Sequence, residues 1–301
     1  MVGAAGQPMK ILVSGSNGLL GSTFKREFSK DSNLNVSALD RSKLDITNYQ
    51  ELMKAFDFYR PDVFINCAAF TDVDGAETNQ LMAKEINTTA LKFIGEIADR
   101  FKSHVIHFST DYVFDGETDT LYTEESTPNP INFYGKSKWQ GEKKLEEVLG
   151  SQAIIIRTAW LYGKNRKSFI DQIVEKILDG SDQIRVVQDQ IGQLTHTQLV
   201  VDAVKAMLDI GIKGHGGVWN LTSQGQSSWI GIANIANEYL NGKSEIFGIT
   251  SESLNRMAKR PKFSALNASK FESQFYSLPS WEEDLIRYLS TRMEEKGCHA
   301  L

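Results

Sequence analysis

The segment Lys10-Ile-Leu-Val-Ser14 runs directly into Gly15-Ser-Asn-Gly-Leu-Leu-Gly21, and this junction restricts the fold more than any other stretch of the chain. A short continuous apolar run that halts at glycines reads as a parallel strand buried on both faces. An amphipathic stretch follows over about residues 19–30, so the glycines join a strand to the helix it feeds. Glycine lets the backbone turn tightly and approach a pyrophosphate, and the helix N-terminus presents free N–H groups and a positive dipole end to the phosphates. The spacing is G-x-x-G-x-x-G. Gly15, Asn17, Gly18, Leu19, Leu20 and Gly21 are therefore candidate dinucleotide-binding residues, although such a loop can also be only a turn.

The alternation continues, with strands expected at 36–39, 62–67, 104–109 and 153–156 and helices at 49–58, 80–100 and 135–149. Strands alternating with helices build βαβ units, so the predicted class is α/β with a doubly wound parallel sheet of the Rossmann type. After Arg157 the rhythm loosens: helices are expected at 169–178, 198–209 and 229–240, with strands at 184–187 and 218–221. Residues 9–157 are assigned to a dinucleotide-binding domain to which 196–222 return. The remainder of 158–301 is assigned mainly to a smaller substrate-binding domain beyond the strand ends, where open α/β sheets bind ligands.

Composition narrows the function classes. Over 301 residues, 41% hydrophobic and 24% charged residues are ordinary for a globular protein, and a net charge of -5 supplies no basic field for nucleic acid. The opening MVGAAGQP lacks the apolar run of a signal peptide, and no stretch is long and apolar enough to span a bilayer. Cys67 and Cys298 offer neither a disulfide framework nor zinc spacing, and a reducing cytoplasm is expected.

Asp40, about 20 residues beyond the loop at the end of the second strand, can accept from the adenosine ribose hydroxyls. Arg41 beside it can instead answer a 2′-phosphate, so NAD(H) and NADP(H) both stay open. The segment Leu44-Asp45-Ile46 either sets Asp45 and Ile46 against the adenine or uses Asp45 to cap the helix ahead of Asn48.

Tyr134 and Lys138, four apart at the start of a helix, share one face. An ammonium ~5 Å from the phenol at an effective dielectric of ~20 contributes ~3 kcal/mol, which lowers the phenol's pKa by ~2 from ~10. Tyr239 and Lys243 have the same spacing, but Tyr134 follows the fourth strand, whose end faces the nicotinamide. The strand end His107-Phe-Ser-Thr110-Asp111-Tyr112 places the Ser109 or Thr110 hydroxyl where it can polarise a substrate carbonyl or merely cap backbone groups.

The chain resembles the dTDP-4-dehydrorhamnose reductase family from Met9 onward. The likeness rests on the glycine loop, Asn66-Cys-Ala-Ala69 with Thr71, Val73, Asp74, Ala76 and Glu77, Ser109-Thr-Asp-Tyr-Val-Phe-Asp-Gly116, Tyr134-Gly-Lys-Ser-Lys138, Arg157-Thr-Ala-Trp160 with Tyr162-Gly163, and Arg260-Pro261. The resemblance implies a catalytic triad of Thr110, Tyr134 and Lys138, with Lys138 also holding the nicotinamide ribose. It implies that Ala68, Ala69 and Thr71 border the cofactor and that Val73, Asp111, Tyr112, Trp160 and Arg260 approach a nucleotide-sugar substrate. Phe263 stands where the family has an amide, and Leu194 where it has proline. No residue set suggests a metal, and the one protein partner envisaged is a second copy, as a homodimer. A sugar-nucleotide dehydratase is rejected because Tyr112 replaces the glutamate of its Thr-Asp-Glu run. The regulatory subunit of methionine adenosyltransferase, which is not catalytic, resembles the same family and stays as the alternative.

Overall fold

The computed structural model describes residues 7–295; Cys298 and the first six residues of the opening MVGAAGQP lie outside them. The chain folds as β1 (Met9–Ser14), α1 (Leu19–Phe28), β2 (Leu34–Leu39), α2 (Tyr49–Tyr59), β3 (Val63–Asn66), α3 (Val73–Thr78), α4 (Gln80–Lys84), α5 (Ala90–Phe101), β4 (His104–Thr110), α6 (Phe133–Leu149) and β5 (Ala153–Thr158). It continues with α7 (Phe169–Leu178), β6 (Gln183–Val187), α8 (Thr197–Ile210), β7 (Gly217–Asn220), α9 (Trp229–Tyr239), β8 (Glu245–Ile249), α10 (Ser269–Gln274) and α11 (Trp281–Glu295). Six strands form one parallel sheet in the order β7-β5-β4-β3-β1-β2. The order reverses between β1 and β3, which opens a crevice at their C-terminal ends.

Alternate side chains of each strand enter opposite layers. Ile11, Val13, Ile65, Ile106 and Ile154 pack with Phe24 of α1 and Val200, Val204 and Met207 of α8. Leu12, Phe64, Val105 and Ile155 pack on the other face with Leu52 and Phe56 of α2, Leu91 and Ile94 of α5 and Leu145 of α6. Helices on both faces explain why the strands read as continuous apolar runs. A third core unites α7, α9 and α11 around Ile173, Ile232, Trp281 and Leu285, with the parallel pair β6 and β8 at its side.

One predicted helix is not continuous. Residues 80–100 were expected as a single helix, but a π-helical turn, Glu85–Thr89, separates α4 from α5. The cause is tertiary. Asn87 donates to the Phe70 carbonyl and to Ser137 Oγ, both at 3.0 Å, and accepts from Phe70 N–H at 2.9 Å, while Thr88 donates to the Ser137 carbonyl. A Cβ at Gly141 would collide with the Asn87 carbonyl. The widened turn thus docks α6 and the segment after β3 onto one another, a frequent use of π turns near functional sites.

Candidate active site

Gly15 sits at φ +67°, and a Cβ there would lie 2.7 Å from Ala68 N; a Cβ at Gly21 would overlap the Gly15 carbonyl. Only glycine permits this approach of loop, helix and β3. Helix α1 starts from Gly18 without a side-chain cap, which leaves its first amides free for an anion. Asp40 accepts from Asn17 Nδ2 at 3.0 Å, and Ser42 donates to it through both amide and hydroxyl. The Ser42 hydroxyl is foremost in holding the Asp40 carboxyl below the usual range. Arg41 is 74% exposed at its side chain and leans toward Asp45 at 3.8 Å. The cap of α2 is Asn48, whose oxygen accepts from Gln50 and Glu51 N–H; Asp45 closes a local turn with Thr47.

A cleft of about 630 Å³ runs along the strand ends. Gly15, Asn17, Gly18, Leu19, Leu20, Asp40, Arg41, Asp45, Ile46, Ala68, Ala69, Thr71, Thr110, Asp111, Tyr134, Lys138 and Trp160 all line it. Gly21 sits behind the loop, and Val73, Tyr112 and Arg260 do not line the cleft. Tyr239, the second tyrosine of the same spacing, packs against the third core and does not line the cleft.

The reacting corner is built where β4 meets α6. Asn132 caps α6 by accepting from Gly135 N–H at 2.8 Å, and Glu77 accepts from Phe133 N–H. A Cβ at Gly135 would strike the Tyr112 carbonyl, so α6 begins hard against the turn that follows Thr110. Tyr112 packs edge-on to Tyr134 with ring centroids 6.1 Å apart. Thr110 donates to Asp111 Oδ1 at 3.0 Å, and Ser264 donates to Asp111 Oδ2 at 2.5 Å. Burial nevertheless pushes the Asp111 carboxyl up to about 7, against the pull of Ser264 and Thr110.

The expected effect of Lys138 on Tyr134 is absent from this arrangement. Burial pushes the phenol up to about 12, opposed by the Thr110 hydroxyl rather than by Lys138. The Lys138 side chain donates instead to the Phe108 carbonyl at 2.6 Å and meets His107 Nε2 at 3.1 Å. Residues four apart on a helix share a face, but a long side chain follows its strongest partner, and here that is β4. Burial draws the Lys138 ammonium down to about 8, with Glu142 opposing.

Three further expectations meet a different environment. Arg260 spends its guanidinium on Asp74 through bonds of 2.8 and 2.6 Å, tying α3 to the segment before Phe263; this hydrogen bonding holds the Asp74 carboxyl down to about 2. Phe263 is buried against Phe114 and Tyr122, and Leu194 is buried in the third core, so both departures are packing residues. Trp160 adopts a left-handed φ of 40° and stacks on Trp229, centroids 3.6 Å apart and planes at 12°. Sequence reasoning passed over Asn66, Cys67, Glu142, Arg166 and Ser264 as site residues and treated His107 only as part of a motif. For His107 a signal existed: a titratable side chain set between the apolar Ile106 and Phe108 of a buried strand calls for a partner.

The family profile described as RmlD substrate binding domain matches residues 9–293. This chain belongs to that family. Among its relatives, dTDP-4-dehydrorhamnose reductase of Aggregatibacter actinomycetemcomitans is 32% identical over 286 residues, covering 92% of this chain and 97% of the relative. A crystal structure of a dTDP-4-dehydrorhamnose reductase from Clostridium acetobutylicum superposes with a TM-score of 0.89 at 33% identity, covering 95% of this chain and all of the other. The dTDP-4-dehydrorhamnose reductase of Bacillus anthracis, solved in complex with NADP, gives 0.88 at 31% identity over 95% of this family member.

Proposed function

We propose that the protein is an NAD(P)-dependent dTDP-4-dehydrorhamnose reductase, which reduces the C4 ketone of a dTDP-6-deoxy-4-ketohexose in nucleotide-sugar and cell-surface polysaccharide biosynthesis. The observation that carries this reading is the convergence of Thr110, Tyr134 and Lys138 on the same cleft as the glycine loop. The cradle fits a dinucleotide: bare amides at the start of α1, a Gly15 that tolerates no side chain, and Asp40 at the far end.

Gly15, Asn17, Gly18, Leu19 and Leu20 would hold the pyrophosphate, Asp40, Arg41, Asp45 and Ile46 the adenosine end, and Ala68, Ala69, Thr71 and Lys138 the nicotinamide end. A bound reduced nicotinamide would supply the hydride. Tyr134 stays a phenol throughout the physiological range because of its burial, so it holds the proton needed by the carbonyl oxygen and releases it as the alkoxide forms. Thr110, whose hydroxyl rests on Asp111, would turn its O–H to donate to the same oxygen. Trp160 and Asp111 would border the sugar. Val73, Tyr112 and Arg260 would reach it from just outside the cleft, Arg260 after exchanging Asp74 for the substrate.

We assign 9–157 with 196–222 to cofactor binding and the rest of 158–301 mainly to the substrate, in a cytoplasmic enzyme that works as a homodimer. Both NADH and NADPH are expected to serve, because Asp40 favours a free 2′-hydroxyl while the exposed Arg41 can reach a 2′-phosphate. The deciding assay supplies dTDP-4-keto-6-deoxy-L-hexose with either cofactor and follows nicotinamide absorbance. Consumption that depends on the sugar nucleotide supports the reading. Absence of turnover with several 4-ketosugar nucleotides, together with tight binding to a partner enzyme, would move the protein to the regulatory-subunit class.

A further inference from the structure

A row of polar side chains crosses the interior of the sheet: Ser14 on β1, Asn66 on β3, His107 on β4 and finally Lys138 on α6, each at most 2% exposed. Its hydrogen-bond directions follow from one backbone group. Asn66 Oδ1 accepts from Ala68 N–H at 3.2 Å and from Ser14 Oγ at 2.7 Å. Reversing this amide would set its NH₂ against the Ala68 N–H, so the Asn66 Nδ2 must donate to His107 Nδ1, 3.1 Å away. Nδ1 is then an acceptor. Burial holds the imidazole well below its usual pKa, so the ring is neutral and its one proton sits on Nε2. That N–H faces Lys138 Nζ at 3.1 Å, while Nζ itself donates to the Phe108 carbonyl. An ammonium has three donors and no lone pair, and a donor facing a donor is repulsive; a free amine accepts from Nε2–H and still donates to Phe108.

We propose that His107 is a positioning residue that keeps Lys138 as a free amine, parked on β4, in the cofactor-free protein, so that Lys138 takes up a proton from solvent when it leaves His107 for the bound dinucleotide. The second half of this inference rests on the reductase reading; the first does not. The other groups acting on Lys138 do not reverse it. Glu142 favours the ammonium, but both of its oxygens are engaged by Arg157. Burial keeps the Cys67 thiol and the Tyr134 phenol neutral. Burial, with Glu142 and Cys67 opposing it, draws Lys138 down to about 8, and the Nε2–H donor pulls in the same direction as burial. Cofactor binding then favours the protonated lysine: affinity is full below the resting pKa of Lys138 and declines as pH rises through the interval up to its pKa in the complex.

The test uses the full-length, cofactor-free protein labelled at lysine Cε. The Lys138 resonance is assigned by its loss in Lys138→Met, and its titration midpoint is expected below about 7 in wild type. In His107→Phe, and in His107→Gln should the first fail to fold, the midpoint is expected to rise by at least about 1 pH unit, because the obligatory donor has gone. A wild-type midpoint above about 8, or one unchanged in both variants, overturns the role of His107. Calorimetry with NADPH in two buffers of different ionisation enthalpy at about pH 7.5 reads the coupled proton. Wild type is expected to take up close to one proton and His107→Gln well under half of one. Binding without proton uptake in wild type overturns the coupling. Failure of NADPH and NADH to bind at all refutes the reductase reading, and the lysine titration still decides the resting state.

Discussion

Replacing Glu142 with alanine leaves a guanidinium inside the protein without its counter-charge. The side chains of Arg157 and Glu142 are 4% and 3% exposed, and they share two hydrogen bonds of 3.1 and 2.7 Å that join β5 to α6. The guanidinium's remaining nitrogen, Nη1, has no partner among the described residues even in the intact pair. After the substitution the guanidinium retains the face of Phe114, whose centroid is 5.2 Å away, which cannot replace a carboxylate. Removing one member of such a buried pair costs about 3 to 5 kcal/mol, a large part of the roughly 5 to 15 kcal/mol that holds a typical domain folded. Removing both charges with apolar groups of similar volume, Glu142→Leu with Arg157→Met, is expected to cost far less, within about 1 kcal/mol of wild type or better. Equilibrium unfolding in urea, followed by circular dichroism for Glu142→Leu, Arg157→Met and the double variant, gives the coupling as a closed cycle, with Glu142→Ala measured alongside. If Glu142→Ala costs under about 1 kcal/mol, the pair is hydrated rather than buried. If the double variant is as unstable as either single one, the cost lies in the packing of α6 on β5, and the electrostatic reasoning fails.

Two further outcomes are expected. Tyr134→Phe should lower kcat by about 10² to 10⁴ with the fold and cofactor affinity nearly intact, whereas Tyr239→Phe should change little; steady-state kinetics that reverse this order would reassign the acid. Asp111 is pushed up to about 7 in the folded protein from a model-peptide value of about 3.9, so its contribution is fully present at low pH and is lost as pH rises from about 4 to 7, by up to roughly 4 kcal/mol. Asp111→Asn should therefore flatten the fall of the unfolding free energy across that interval, and an unchanged slope would place the carboxyl in contact with water.

The cofactor side of the cleft was legible in the chain because its constraints are local. Gly18 and Gly21 respond to the Gly15 carbonyl within the same seven residues, Gly15 holds a left-handed φ of its own although its closest neighbour is Ala68, and strands such as 104–109 announce double-sided burial in their own composition. What escaped reading depends on partners far along the chain. The π turn at Glu85–Thr89 answers to Phe70 and Ser137, and nothing in Glu85-Ile-Asn-Thr-Thr89 itself breaks a helical pattern. Arg260 looks like a free anion-binding cation until Asp74, 186 residues away, is brought beside it. For Lys138 the spacing from Tyr134 was read rightly as a shared helical face. It did not say where four flexible methylenes would carry the charge, and the carbonyl and imidazole of β4 settled that. Phe263 shows the converse: a departure from a family pattern turned out to fill a small buried cluster with Phe114 and Tyr122.

The stacked indoles of Trp160 and Trp229 give the cleft an optical reporter of its own. Two chromophores 3.6 Å apart and inclined by only 12° share their electronic transitions, so their joint circular dichroism depends on their mutual angle and not only on their number. One ring lines the cleft, while the other lies against Phe169 in the third core. A ligand that tilts Trp160 by a few degrees would therefore change the exciton signal without any label. The geometry of the substrate side can thus be followed in solution separately from the nicotinamide absorbance that reports the chemistry.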